Sequence, residues 1–184
     1  MSLTLETLAK AFTGLMPEKP VPEPVPDTPE AKDSAADAPA KDEAPAEPPA
    51  PVPPFFEQVD FNLRGFHLDA TVLPDQVVPV ASLLDEHGFA IDAVTGVDWI
   101  AEEQMEVVYD FFHPTEPWRV AARTRIPRAQ PEIQTISEVF PGANWHERET
   151  HDFFGIRFLG HPDLSPFLLP EDADYHPLLK DFEA

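Results

Sequence analysis

The chain has 184 residues, 42% of them hydrophobic, with 24 prolines against seven glycines, which suits one ordinary core beside a proline-rich remainder that cannot join it. It contains no cysteine, which excludes disulfides, cysteine-held iron–sulfur clusters and thiolate zinc sites. Its formal net charge of −22 repels phosphate backbones, so nucleic acid is not an expected partner; a basic protein surface, or simply a soluble acidic exterior, fits better.

No apolar run is long enough to cross a bilayer and no basic, apolar leader opens the chain, so a cytoplasmic protein is expected, with membrane contact only through partners. Three regions follow in order. Residues 1–16 carry Leu5, Leu8, Phe12 and Leu15 at spacings of three and four, one apolar stripe if helical. About three turns are marginal alone, so this is either a helix that docks in a groove or a frayed terminus with accidental periodicity. Residues 17–54 hold thirteen prolines and no aromatic, and are expected to be a disordered linker of polyproline II character.

Residues 55–184 are expected to form an α+β unit with a small, mostly antiparallel sheet packed with helices. Phe61, Leu63, Phe66, Leu68, Ala70 and Val72 alternate with polar residues across Arg64-Gly65, as two half-buried strands or a bulged one would. Pro74-Asp75 opens a helix with Val77, Val80, Ala81 and Leu84 inward, ended by His87-Gly88, where Pro79 falls early enough to be tolerated. Three β-rich segments follow, 89–99, 105–113 and 118–126, separated by hairpin turns. In the last, Arg119, Ala121, Arg123 and Arg125 share one face, either the wet face of an antiparallel sheet or a basic counter-surface for acidic groups. The prolines at 127 and 131 mark the exit from the sheet.

Two helical pieces are then expected, 135–140 and 143–154, the second capped by Gly155. On the second, Trp145, Glu149, Asp152 and Phe153 fall near one face, with Glu147, Arg148 and His151 around the side. A metal site is not supported, because Thr150 stands where a zinc-protease helix needs its second histidine, and His151 lies about 140° around the helix from His146. Glu147 and Glu149 are two apart and diverge, which disfavours an acid–base pair. No phosphate-cradling loop, dinucleotide turn or nucleophile elbow occurs. From about 156 the chain reads as an extended C-terminal strap: prolines 162, 166, 170 and 177 prevent regular structure, yet Phe158, Leu164, Phe167, Leu168 and Leu169 need cover. That cover is either the chain's own sheet or a second subunit anchored on Trp145, Phe153 and Phe154.

The run Val139–Arg148–Glu149, continued by Asp152-Phe153-Phe154-Gly155-Ile156, Gly160-His161-Pro162-Asp163-Leu164 and His176-Pro177-Leu178-Leu179-Lys180-Asp181-Phe182, resembles the signature of the respiratory complex I 30 kDa subunit family. That family is shared with membrane-bound, energy-converting nickel–iron hydrogenases and formate hydrogenlyase. The resemblance covers roughly residues 60–184. It implies an α+β subunit without a cofactor of its own, packed in the hydrophilic arm against a large hydrogenase-like (49 kDa-type) subunit and a small Fe–S subunit. Fe–S clusters, with FMN or a Ni–Fe centre, are then expected in those partners, and the chain would be peripheral on the cytoplasmic membrane face. By the same resemblance Trp145, Glu147, Arg148, Glu149, Asp152, Phe153, Gly155, His161, Pro162, Asp163, Pro177, Lys180 and Asp181 are expected at partner interfaces. The chain departs from the complex I pattern at Ser165-Pro166 and Leu179, where arginines are usual, and at Ala173-Asp174-Tyr175. Loss of bidentate carboxylate binders raises the case for the alternative, the equivalent subunit of an energy-converting nickel–iron hydrogenase or formate hydrogenlyase, beside the first expectation that the resemblance implies, an assembly subunit of an NADH-quinone oxidoreductase (complex I). A free-standing acidic adaptor is a third reading.

Overall fold

The computed structural model describes residues 3–19 and 54–183. Thr4 opens helix α1 (Leu5–Thr13) by accepting a hydrogen bond from the Thr7 N–H, which satisfies a donor the first turn leaves free. A five-stranded sheet follows in the order β1-β2-β5-β4-β3, from β1 (Phe55–Gln58), β2 (Leu68–Thr71), β3 (Ala90–Trp99), β4 (Gln104–Phe112) and β5 (Arg119–Pro127). Only the β2–β5 pairing is parallel; the others in this sheet run antiparallel. The α+β class and mostly antiparallel sheet agree with the expectation from sequence.

Along β4 and β5 alternate residues point inward, Met105, Val107, Tyr109 and Phe111 beside Val120, Ala122, Thr124 and Ile126, all buried. Helix α3 (Val77–Glu86) enters through a 3₁₀ turn at Pro74–Gln76 and buries Val77, Val80, Ala81 and Leu84. A second, two-stranded parallel sheet joins β6 (Glu132–Gln134) to β7 (Arg157–Leu159). Between them lies helix α4 (Ala143–Phe154), which Gly155 ends in the left-handed region at φ 73°, as a glycine cap allows.

Two local expectations fail. Residues 61–64 form a short helix, α2 (Phe61–Arg64), rather than a strand. Asp60 accepts from the Asn62 N–H and Gly65 turns left-handed at φ 79°, so capping outweighs the apolar alternation, and Leu63 is left 83% exposed. Residues 135–140 form a turn, not a helix. The Glu147 carboxylate takes the Ile136 N–H and the Leu159 carbonyl the Thr135 N–H, which ties the segment to its neighbours, and the Val139 and Phe140 N–H groups both return to Ile136 O before Pro141, which has no N–H to continue a helix, ends the turn. The arginine face of β5 is already paired in cis: Arg119 with Asp92, Arg123 with Asp69 at 3.0 Å, and Arg125 with Glu102 at 2.9 Å and Glu106 at 3.2 Å.

Of the linker expected over 17–54, only residues 17–19 and 54 lie among those described. Pro17–Lys19 runs beside β1, with Lys19 N–H to Phe56 O at 2.7 Å and Phe56 N–H to Pro17 O at 3.1 Å, which covers a stretch of sheet edge. The stripe of α1 is neither frayed nor presented outward. Leu8, Phe12 and Met16 are buried in the core, Phe12 lies 5.8 Å from the Phe56 ring, and the Trp118 indole N–H reaches Leu3 O at 2.9 Å. Phe12→Ala is therefore expected to cost roughly 3 kcal/mol, read as a lower urea midpoint. An unchanged midpoint would mean that α1 does not pack on the domain.

Candidate subunit-contact site

Helix α4 divides its side chains among three environments. Ala143, Glu147 and Thr150 are buried, Thr150 Oγ1 donating to Val94 O at 3.1 Å. Phe154 lies flat on β3 where Gly96 has no side chain; a Cβ there would come within 2.6 Å of the ring. Trp145 and Glu149 face outward. Arg148 and Asp152 face the C-terminal segment and hold it.

Arg148 donates to Ser165 O from both Nε and a terminal nitrogen at 3.1 Å, and to Pro166 O at 3.1 Å. Its guanidinium lies over Trp145 at 5.5 Å and Phe167 at 5.1 Å, and those two rings are 5.0 Å apart. Asp152 Oδ2 accepts three consecutive backbone N–H groups, from Phe167 at 2.9 Å, Leu168 at 2.7 Å and Leu169 at 3.1 Å. Burial pushes the Asp152 carboxyl up, but these three bonds outweigh it and hold the pKa below the usual range, because they favour the charged form.

Further along, His176 Nδ1–H donates to Asp152 O at 2.8 Å and the Leu178 N–H to Phe153 O at 3.1 Å. Gly155 admits the His176 ring, which a Cβ would meet at 2.7 Å. The last fastening is on β3. Asp98, buried, accepts from Arg128 at 2.8 and 3.1 Å and from the Lys180 N–H at 2.9 Å, while Arg128 also reaches Asp181 at 2.6 Å. Desolvation raises the Asp98 pKa, and the bonds from Arg128 and Lys180 more than reverse that. Residues 160–183 thus lie on the domain without helix or strand.

The segment covers itself only in part. Leu164 and Leu179 pack on the core, whereas Trp145 (55%), Leu168 (53%) and Leu178 (51%) stay exposed, with Phe167, Tyr175 and Phe182. This broken apolar surface, held by charged fasteners beneath, is what the arrangement offers chemically. Among the described residues no three metal-ligating side chains converge, and no helix is long and apolar enough to cross a membrane.

The predicted site residues divide accordingly. Trp145, Glu149, Pro162, Asp163 and the Lys180 side chain are exposed, and Phe153 and Pro177 are half-buried. Glu147 is fully buried and His161 has its side chain enclosed, so both act inside the chain, as do Asp152 and Gly155. Arg148, Asp152 and Trp145 come together with Ser165–Leu169, while Lys180 and Asp181 gather at Asp98 and Arg128, at a separate fastening. Sequence reasoning missed Asp98 and Arg128. The available signal was a charge at a core-facing position of β3, in register with Val94 and Gly96.

This small α+β domain uses α4 as the platform for its own C-terminal segment and leaves part of the resulting surface apolar and exposed. Residues 70–184 match the family described as Respiratory-chain NADH dehydrogenase, 30 Kd subunit, and the chain belongs to that family. The NADH-quinone oxidoreductase C subunit of Roseiflexus castenholzii is 38% identical over 125 residues, spanning 65% of this chain and 71% of that one. The Moorella thermoacetica protein of the same name is 36% identical, spanning 67% and 86%, and the F(420)H(2) dehydrogenase C subunit of Methanosarcina mazei is 40% identical, spanning 50% and 58%. Among solved structures, a chain of the membrane-bound sulfane sulfur reductase, an archaeal respiratory membrane complex, superposes with TM-score 0.58 at 28% identity, covering 63% of this chain and 71% of that one.

Glu147 generates a pH prediction. Burial raises its pKa to about 7 from 4.5, against the bonds from Thr135 and Ile136, which lower it. The folded state then holds this proton more tightly than the unfolded chain, so stability is full below about 4.5 and falls as pH rises to about 7, by roughly 3 kcal/mol at most. Asp98 and Asp152 act with the opposite sign, losing stability only as pH falls below 3.8. Chemical denaturation across that range should show the decline in the native protein and a flatter profile in Glu147→Gln. Parallel profiles would assign the slope elsewhere.

Proposed function

We propose that this chain is the C subunit of an NADH-quinone oxidoreductase. In that role it is an assembly subunit with no active site and no bound cofactor of its own, placed in the hydrophilic arm of a membrane-bound complex. The observation that carries the reading is the family match over residues 70–184. The half-covered apolar surface around Trp145, Phe167, Leu168 and Leu178 supports it physically.

The partners we assign are a large hydrogenase-like subunit and a small Fe–S subunit, which carry the Fe–S clusters; FMN would reside in the NADH-oxidising part. The chain would sit on the cytoplasmic face and meet the membrane only through these neighbours. Exposed members of the predicted set, Trp145, Glu149, Pro162, Asp163 and Lys180, would touch partners; Arg148, Asp152, Gly155 and Asp181 would hold the contact surface in shape. A second reading, the equivalent subunit of a related complex with a different electron donor, is favoured by the similarity to the F(420)H(2) dehydrogenase protein and the sulfane sulfur reductase chain.

Affinity isolation of the tagged native protein from mild-detergent extracts, with mass spectrometry, tests both. Recovery with cluster-bearing and membrane subunits and a flavin-bearing NADH-oxidising subunit supports complex I; the same set with another electron-input subunit supports the second reading; recovery of the chain alone refutes both. Asp152→Ala should lower the yield of assembled complex and open residues 165–170 to proteolysis, because it frees three N–H donors at once. Unchanged assembly alongside full proteolytic release would show that this segment is not part of the contact.

A further inference from the structure

Beneath the contact face three oxygen atoms form a line. Ser137 Oγ lies 2.7 Å from Thr135 Oγ1, and Thr135 Oγ1 lies 2.5 Å from Glu147 Oε2. The Ile136 N–H holds the other carboxyl oxygen, Oε1, at 2.8 Å. The inner end is sealed, with Glu147 fully buried. The outer end lies closer to the surface: Ser137, 9% exposed, lines an open hollow of about 380 Å³ with Glu138, Pro141, Asn144, Trp145, Gly160 and Pro162.

Such a line has two hydrogen-bond polarities. With Glu147 ionised, the Thr135 hydroxyl donates inward to the carboxylate and the Ser137 hydroxyl donates to Thr135, so Ser137 Oγ offers the hollow an acceptor. With Glu147 protonated, the carboxyl donates to Thr135, Thr135 donates to Ser137, and Ser137 turns its hydrogen outward. Moving between the two states passes one proton along the chain, each hydroxyl giving one hydrogen and taking one. The proton lost by Glu147 leaves through the hollow to solvent.

The groups facing Glu147 do not compensate its charge. From β4, buried Tyr109 is held neutral and carries a hydroxyl with no hydrogen-bond partner among the described residues. From the segment after β7, His161 Nε2 is 3.9 Å from Oε2; its Nδ1 accepts the Asp163 N–H at 3.1 Å and its Nε2–H donates to Asn144 O at 3.3 Å, which is the neutral tautomer. Burial and Arg148 hold His161 below its ordinary pKa. Arg148, on α4 itself, is committed to Ser165 and Pro166. The lining of the hollow includes one carboxylate, Glu138, an indole wall from Trp145, and no cation.

We propose that this hollow receives a lysine or arginine side chain of the neighbouring subunit, and that the Ser137–Thr135 relay couples its occupancy to release of the Glu147 proton. A cationic N–H meets two free lone pairs and no hydrogen at Ser137 Oγ in the ionised polarity, but a single lone pair beside an outward O–H in the protonated one, so it favours the former; Glu138 and Trp145 provide the charge and the ring face. Binding and ionisation therefore reinforce each other, by the reciprocity that links any two coupled equilibria. The identity of the occupant as a subunit side chain rests on the assembly reading above, whereas the relay itself does not.

The test uses the full chain, with carbon-13-labelled glutamate carboxyls followed by NMR and arginine amide as the probe. In the native protein one glutamate should titrate near neutrality and vanish from that range in Glu147→Gln. Arginine amide should shift the Trp145 indole signal, move the Glu147 midpoint to lower pH, and bind at least about fivefold more tightly at pH 8 than at pH 6. Ser137→Ala leaves Glu147 and the core intact. It should keep the Glu147 titration but lose the pH dependence of binding, and Glu138→Gln should weaken binding at every pH. A Trp145 signal unmoved by the probe, a Glu147 midpoint unmoved by binding, or a Ser137→Ala profile matching the native one would each overturn the proposal. If the linkage is absent while affinity isolation still recovers the complex, only the relay fails; if the linkage is present but the chain is recovered alone, the assembly reading fails.

Discussion

Asp152 holds three successive backbone N–H groups on one oxygen, and most of what is distinctive in this domain depends on it. A carboxylate facing Phe167–Leu169 turns a stretch that proline keeps out of helix and sheet into a defined shape, because a charged acceptor satisfies donors that no ladder would. Arg148, one helical turn earlier, takes the preceding carbonyls of Ser165 and Pro166. Acceptor and donor on one helix thus grip opposite polarities of the same stretch of backbone. The apolar side chains above them are displayed because the backbone below is held.

The same economy operates at the far end, where Asp98 and Arg128 bind the main chain of Lys180 and the carboxylate of Asp181. Arg125 and Arg123 are likewise taken by acids on neighbouring strands. Most arginines of the folded part are consumed internally, so the large negative charge is what remains at the surface. These pairs are partly buried, so they fix which strands and segments meet rather than simply decorating the surface.

Much of the fold was legible. The helix over 77–86, the three long strands, the helix over 143–154 and its Gly155 stop follow from periodicity and capping, which are local. The errors were local signals overruled. Asp60 and Gly65 bend an alternating stretch into α2, and the segment 135–140 stops at one turn before Pro141, tied to α4 through Glu147, eleven residues away from Ile136 in sequence. For the site, residue types and the neighbourhood of α4 were readable, but their roles were not. Glu147 and Glu149 are two apart in the chain, and one is fully buried while the other faces outward.

Composition, the absence of cysteine, the apolar stripes and the long family-like run around Trp145–Gly155 were determined by the sequence alone, since each depends on residue identity and spacing. Only the tertiary structure decided where the charges go: that α1 closes on its own domain at Phe56, that Asp98 meets Lys180 across eighty-two positions, and that Ser137, Thr135 and Glu147 line up between a surface hollow and the core. Hydrogen bonds and desolvation act through space over a few ångströms, and no pattern along the chain encodes which distant groups will share that space.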